Sequence, residues 1–450
     1  MKQSKKSAPS ESKGAQATDF VSFFRGSAPY IHAHRERTFV LAFGGEALLS
    51  PLQLRNLVQD IALLHSLGIR LVLVVGARPQ IDQRLARLGH KSQFLYGIRI
   101  TDDLSLACVK EAAGAIRVEM EAMLSMGMPH SPMAEARLRV AAGNFVTARP
   151  VGVVEGVDFQ HTGEVRRVDA LALKELLARD TIALLTPVGY SPTGEAFNLP
   201  YNEVAAQTAI ALGADKLIVL VEGRGLVDAE GKTFNSLTID EARLHLQSSR
   251  LSPSLRLALK SAIHALEGQV VRVHVLPRER DGALLQELFT REGAGTLIAR
   301  EPYEGMRRAS LADVGGILEL IEPLEREGIL VRRSREKLEM DIRDFVVIER
   351  DAMIIGCASL HPWPQEKIAE LACLAIHPHY RASERGSNLL DYMEARARAA
   401  GLERIFVLTT RTAHWFLERG FVEVSLRELP RDRRAFYNRQ RNSKVFLKEL

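Results

Sequence analysis

Between residues 38 and 300, short and nearly uninterrupted apolar runs alternate with amphipathic helical patterns, and few folds accept that order of elements. The runs are TFVLAF (38–43), RLVLVVG (70–76), TIALLTPV (181–188), DKLIVLVE (215–222), QVVRVHVL (269–276) and GTLIAR (295–300). Helical periodicity fills the gaps, as in PLQLRNLVQDIALLHSL (51–67), the stretch from about Pro79, NEVAAQTAIALG (202–213) and LRLALKSAIHALEG (255–268). A strand that is apolar on both sides is buried on both sides, so the pattern predicts a parallel sheet covered by helices on its two faces. After REPYEG (300–305) the order changes. A short strand MRRAS is followed by two helices, for which Asp313 and Ser334 are expected N-caps, and then by the strands FVVIERD, MIIGCASL and IAELACLAI. A helix from about Arg385 to Ala399, the strand RIFVLTT, a short helix TAHWFLERG and two strands close the chain. Hairpin-like meetings such as ERDAMIIG make this second sheet mixed. The fold class is therefore α/β: a parallel-sheet domain over 19–300 and a mixed-sheet α+β domain over 303–450, with no internal repeat.

Composition narrows the function classes. Lys plus Arg number 60 against 55 for Asp plus Glu, and the excess is spread along the chain, which excludes a nucleic-acid arm. Three cysteines, Cys108, Cys357 and Cys373, lack metal-site spacing, so neither a disulfide framework nor a metal is expected. No apolar run reaches the length of a membrane span, and residues 1–18 lack the apolar stretch of a secretory signal. They are expected to form a solvated, disordered tail on a cytoplasmic protein.

The chemistry of 303–450 rests on three signals. The strand IAELACLAIHP (368–378) feeds YRASERGSNLL (380–390), a loop opening a helix, where unpaired N–H groups suit a pyrophosphate. Arg381 and Arg385 add positive charge there, Gly386 admits close approach, and Ser387 follows in the first turn. A short helix, TAHWFLERGF (412–421), turns into a strand, and the order of elements completes the set. Together these resemble the GNAT acetyltransferases, in which the loop holds the pyrophosphate of acetyl-CoA. LVRRSREKLE (330–339), EKIAELACLAIHPHYR (366–381), LTTRTAHWFLERGF (408–421) and FYNRQRNSKVFL (436–447) further resemble the N-acetylglutamate synthases, and the likeness covers nearly the whole chain. That resemblance implies acetyl-CoA as co-substrate and L-glutamate as acceptor. It also implies that Arg332, Arg441 and Ser443 hold the glutamate carboxylates, while Cys373 and Leu374 line the acetyl group. Guanidinium groups suit carboxylates because they bind in bidentate fashion. Glu370, beside the expected acetyl site, is the candidate base. Two positions depart from the pattern: Glu384 replaces a loop glycine, and Phe416 stands where many of these enzymes carry a tyrosine acid.

Residues 19–300 resemble the amino-acid kinase fold, specifically acetylglutamate kinase, through FVLAFGGEAL (39–48), VVGARPQID (74–82) and YGIRITD (96–102). Such kinases place a lysine on the first strand to neutralise the transferring phosphoryl group. Here that position is Ala42, and the second glycine loop reads Gly76-Ala77-Arg78-Pro79, so kinase activity is expected to be absent. VHVLPRERDGALLQELFTREGAGTLI (273–298) resembles the arginine-binding segment of arginine-sensitive kinases of this type. By that resemblance His274, Glu287, Gly293 and Gly295 bind L-arginine as an effector, with Tyr30 closing over it, and the domain assembles as a homo-oligomer. The sequence leaves two other readings open: a GNAT enzyme for another amine with an amino-acid-sensing domain, and a non-catalytic arginine sensor.

Overall fold

Phe39, Leu41 and Phe43 point to one side of their strand and Val40 and Ala42 to the other, and all five are buried. That is why the first apolar runs read as continuous. The computed structural model describes residues 11–450 apart from 127–130, 132, 229, 249–250, 291–292, 302–303, 351–352 and 382–383. It divides into two compact units, Met1–Pro302 and Tyr303–Leu450. No helix among the described residues is long and apolar enough to cross a membrane.

In the first unit the central strands run parallel in the order Lys216–Val221, Thr38–Phe43, Arg70–Val75, Thr181–Leu185 and Arg139–Ala142, and Arg272–Pro277 lies beside Lys216–Val221. Helices Tyr201–Leu212 and Pro253–Glu267 cover the face of Val40 and Val72; Pro51–Ser66 and Asp103–Leu124 cover that of Phe39 and Leu71. The sheet is not parallel throughout. Thr296–Ala299 pairs antiparallel with Arg272–Pro277, because the connection between them holds only the two-turn helix Ala283–Phe289 and returns the chain at the same end. A second sheet of four short strands between Val146 and Asn198 had no periodicity long enough to announce it.

The first described helix, Glu11–His34, reaches into the segment expected as a tail; residues 1–10 of that segment lie outside the described residues. Once its C-terminal half is docked, extending a helix costs little, since nucleation is the expensive step. Docking is polar as well as apolar. Ser27 Oγ donates to Phe289 O at 3.1 Å, and His34 Nε2 lies 2.9 Å from Leu288 O, with its ring edge-on to Phe39 and Phe289.

The second unit has one seven-stranded sheet in the order Glu304–Arg308, Phe345–Arg350, Met353–Trp363, Ile368–Ile376, Arg404–Thr409, Lys444–Glu449 and Val422–Val424. All neighbours are antiparallel except Ile368–Ile376 with Arg404–Thr409. Helix Arg385–Ala399 buries Leu389, Leu390 and Met393 against one face. The other face has two separate covers. Helices Val314–Arg326 and Arg335–Asp341 pack at one end, and Leu429 and Tyr437, from the chain between the last two strands, pack over Phe406 and Val445 at the other. Ser334 caps its helix, accepting from Lys337 N at 3.3 Å. Asp313 does not act as the expected N-cap. It answers Ser310 in a capping box and accepts from both Arg307 Nη atoms at 2.8 Å, which holds its carboxyl down at about 2.

His34 generates a prediction. Burial, reinforced by the charge of Lys216, lowers its pKa from 6.5 to about 4. The unfolded chain therefore binds this proton first, and stability that is complete above pH 6.5 is lost as pH falls towards 4. In urea melts followed from pH 7 to pH 4.5, the first unit should weaken steadily, and His34→Gln should flatten that dependence.

Candidate active site

Strands Ile368–Ile376 and Arg404–Thr409 pair only at Ile368, Ala369 and Glu370, opposite Arg404, Ile405 and Phe406. Beyond Glu370 they part, and a cavity of about 1610 Å³ opens between them, lined by Leu371 to Ile376 on one arm and Val407, Leu408 and Thr409 on the other. The first arm also carries a bulge. Ser359 pairs with Ala372 and Cys357 with Ala375, so Cys373 and Leu374 together face the single residue Ala358. Cys373 takes φ +54°, a conformation that costs a side-chain-bearing residue about 1–2 kcal/mol. The strain is held by neighbours: Ser359 Oγ donates to Ala372 O at 3.1 Å, and Cys357 Sγ lies 3.5 Å from Cys373 O. The result is an arm whose N–H groups are not committed to the parallel ladder and can be turned on a carbonyl oxygen.

One end of the cavity holds arginines and the first turn of helix Arg385–Ala399. Arg381, Glu384, Gly386, Ser387 and Arg419 line it. Arg419, which the sequence reading did not single out, stacks on Trp415 with its guanidinium 3.9 Å from the ring centroid and donates to Ser387 Oγ at 2.9 Å. A Cβ at Gly386 would meet Trp415 at 3.3 Å, so the indole as well as any ligand favours glycine there. Arg381 Nε donates to Ile376 O at 3.1 Å. Arg385 is the cofactor-side candidate that does not line the cavity. It forms a bidentate pair with Glu304 at 2.6 and 2.8 Å, with its guanidinium over Tyr380. Residues 382 and 383 of this loop lie outside the described residues. Phe416, edge-on to Trp415 and Phe421, supplies a wall and no proton. The hydroxyls on this side are Thr409 and Thr412, 2.7 Å apart.

The other end is cationic. Arg332 is exposed at its rim and makes no hydrogen bond or ion pair with any described residue. Arg441 donates through its side chain to Ile329 O and through its backbone to Asn438 Oδ1 at 3.1 Å. Ser443 is buried, with its carbonyl accepting from Tyr437 Oη at 2.7 Å. Glu370 is buried and held by Arg433 at 2.5 and 3.0 Å; Arg433 lies in a basic run, LPRDRR, that had no periodicity to mark it. Burial, and then the charge of Arg333, lowers the pKa of His361, which is paired across from Glu370.

In the first unit, the four effector-side candidates form one cluster. Glu287 accepts from His274 Nδ1 at 2.6 Å, Ala294 N at 2.6 Å and Gly295 N at 3.0 Å. Burial pushes its carboxyl up, but these donors and His274 outweigh that and bring it to about 2. Gly293, at φ +69°, leaves no room for a side chain, since a Cβ would sit 2.5 Å from Glu287 Oε2; at Gly295 it would meet Val275 O at 2.4 Å. The loop amides at 294 and 295 are thus spent on Glu287. Lys216 Nζ stands 3.5 Å from His274 Nε2. Tyr30 packs against the same core as Leu288 and Phe289. At the expected phosphoryl site, Ala42 is fully buried between Val219 and Val74. A cavity of about 120 Å³ lined by Gly44, Gly76 and Arg78 is closed by Tyr201, whose ring a Cβ at Gly76 would strike at 2.7 Å.

Profiles of known families match both units: the amino acid kinase family over residues 37–277 and the GNAT acetyltransferase family over 316–421. The chain is 53% identical to an amino-acid acetyltransferase of Pseudomonas fluorescens over 433 residues, covering 96% of this chain and all of that one. It is 39% identical to N-acetylglutamate synthase from Neisseria gonorrhoeae complexed with coenzyme A and L-arginine, with a TM-score of 0.83 over 96% of this chain and 99% of that one. The same Neisseria protein complexed with coenzyme A and N-acetyl-glutamate superposes with a TM-score of 0.62 over the same shares.

Cys373 lines the cavity and belongs to the buried cluster of Val347, Cys357 and Ala375, and its distinguishing feature is its backbone. Cys373→Ala should keep turnover within a few-fold of the parent in an assay of free-thiol release, whereas loss of a covalent nucleophile would lower it by orders of magnitude.

Proposed function

The chain belongs to the amino-acid acetyltransferases, and from that premise we propose that it moves the acetyl group of acetyl-CoA onto the α-amine of L-glutamate, with L-arginine as its inhibitor. Such a reaction opens arginine biosynthesis, and inhibition by the end product closes the loop. The observation that carries the substrate reading is the pair of guanidinium groups at the cationic end, Arg332 and Arg441, the first of them free of any described partner. A substrate with two carboxylates matches two guanidiniums; a protein lysine or a simple amine would leave both unanswered.

The bound co-substrate supplies a thioester carbonyl. Cys373 and Leu374, splayed by the bulge, direct backbone N–H groups towards the carbonyl oxygen, where negative charge develops. Arg381, Arg419 and the first turn of helix Arg385–Ala399 hold the phosphates. Glu370 takes a proton from the substrate ammonium, directly or through water, and Thr409 lies on the opposite arm as a hydroxyl for the departing sulfur. Leu374 and Ser443 complete the walls on either side of the amine.

Regulation is assigned to the cluster of Glu287, His274 and Lys216. A carboxylate buried beside a loop it organises is suited to receive a guanidinium, and Gly293 and Gly295 leave the loop close enough for that contact. With Ala42 in the first strand, this unit lacks the charge that phosphoryl transfer requires.

A thiol-release assay with glutamate and acetyl-CoA, run with and without arginine, tests the reading directly; no glutamate-dependent thiol would refute it. Arg332→Ala should raise the KM for glutamate roughly ten- to a hundredfold, the loss of about 1.5–3 kcal/mol in charged hydrogen bonding, and leave that for acetyl-CoA nearly unchanged. It is a cleaner probe than Arg441, which also braces Ile329. Glu287→Gln should keep basal turnover and shift the arginine inhibition curve to higher concentration by about tenfold or more, since effector coupling is typically about 1–3 kcal/mol. Unchanged inhibition would move the effector site elsewhere.

A further inference from the structure

Glu370 is already paired as it stands. Arg433 Nε holds Oε2 at 2.5 Å and Nη2 holds Oε1 at 3.0 Å, while Nη1 reaches Phe436 O at 3.4 Å. A fork-on-fork pair of this kind occupies one of the two in-plane lone pairs of each oxygen, so any proton taken up by Glu370 competes with Arg433. Yet the contact is not sealed in the core. Both residues line the cavity, and the Arg433 side chain is 24% exposed.

The origin of Arg433 gives the pair a meaning. It stands on the short helix Arg431–Ala435, in the chain segment that also brings Arg441 and Ser443 to the cavity. Around this end the lining offers Arg332, Arg333, Lys337, Arg433 and Arg441 against the carboxylates of Glu370 and Asp341, and Asp341 is already paired with Lys337 at 3.1 Å. A surplus of cations in a concave wall selects a ligand with more than one anionic group.

We propose that Arg433 is a specificity gate: the side-chain carboxylate of the incoming amino acid, seated by Arg332 and Arg441, draws the Arg433 guanidinium to itself as well, and Glu370 is thereby released to the substrate's ammonium. The proposal rests on the glutamate reading above and adds how that substrate is told from its neutral analogues. Two ion pairs, carboxylate with Arg433 and ammonium with Glu370, replace the one, so no charge is left bare in a buried wall, whereas opening the pair without a replacement would be costly. The released Glu370 accepts one ammonium proton. The amine nitrogen then bonds to the thioester carbon as the carbon–sulfur bond breaks; the sulfur takes the second proton given up by nitrogen, and the proton on Glu370 passes to solvent. Glutamine fills the same volume but carries no charge to draw the guanidinium away, so it is penalised in turnover as well as in binding. Arg433 is a positioning residue that acts through Glu370.

The test uses full-length enzyme, saturating acetyl-CoA, and initial rates on glutamate, glutamine and 2-aminobutyrate for the parent, Arg433→Gln and Arg433→Lys, each with and without added formate. The parent should favour glutamate in kcat, and Arg433→Gln should shrink that preference by about tenfold or more, the scale of one charged hydrogen-bonded pair. Arg433→Lys, which keeps the charge, should retain the preference at lower turnover. On 2-aminobutyrate, which leaves the place of the side-chain carboxylate empty, formate as a carboxylate supplied separately should raise the parent's kcat and leave Arg433→Gln unmoved. Equal loss on both substrates in Arg433→Gln, or discrimination by the parent in KM alone, would mean that Arg433 merely props Glu370, and the gate is overturned. Should Arg433→Gln fail to fold, the formate response of the parent decides alone, and no response overturns the proposal. A parent inert towards glutamate would be a different failure, that of the substrate reading, and would take the gate with it.

Discussion

Parallel neighbours ordinarily share hydrogen bonds until one strand ends, but Ile368–Ile376 and Arg404–Thr409 stop after three pairs while both strands continue. The rest of the second domain is arranged around that parting. Helix Arg385–Ala399 supports both arms from one face, and two separate covers on the other face leave the cavity between them. The bulge at Cys373 and Leu374 then rotates the freed backbone, and a non-glycine residue is held at φ +54° to do so. Such a conformation persists only where its surroundings over-determine it, and here the antiparallel partner Met353–Trp363 does that on the far side.

Two buried carboxylates, one in each domain, are saturated with donors in different ways. Glu287 is held largely by backbone N–H groups that cannot leave without unmaking the loop 293–295, so its partners make it a fixed post. Glu370 is held by a side chain on a short surface helix, and a guanidinium can exchange one carboxylate for another at little net cost in charge. Similar electrostatics therefore serve order in the first domain and, in our proposal, selection in the second.

The first domain shows how a fold outlives a chemistry. Ala42 is packed between the apolar Val219 and Val74 in the buried core of its sheet. Tyr201 packs so close to Gly76 that a Cβ there would meet its ring at 2.7 Å.

Much was legible in the chain because it is local. Apolar periodicity fixed the six main strands of the first sheet and the helices over them, and the 330–339, 366–381 and 436–447 stretches marked the residues that fold into one cavity. The effector-side set His274, Glu287, Gly293 and Gly295 was readable for the same reason: a strand, a two-turn helix and a tight loop lie within two dozen residues. What sequence could not supply is contact between segments that carry no shared pattern. The four-stranded sheet of 146–198 is built of strands too short for periodicity, and the antiparallel return at Thr296–Ala299 depends on the length of a connection. The bidentate pair of Glu370 with Arg433, 63 residues apart, the Arg419 stack beneath Ser387, and the diversion of Arg385 to Glu304 are all decided by side chains meeting across separate elements. By itself, then, the sequence determined the longer strands and helices, through local periodicity, and carried the motifs by which the chain resembles its family. Tertiary structure alone decided which charges are free and which are already spoken for, because burial and pairing exist only once distant segments have packed.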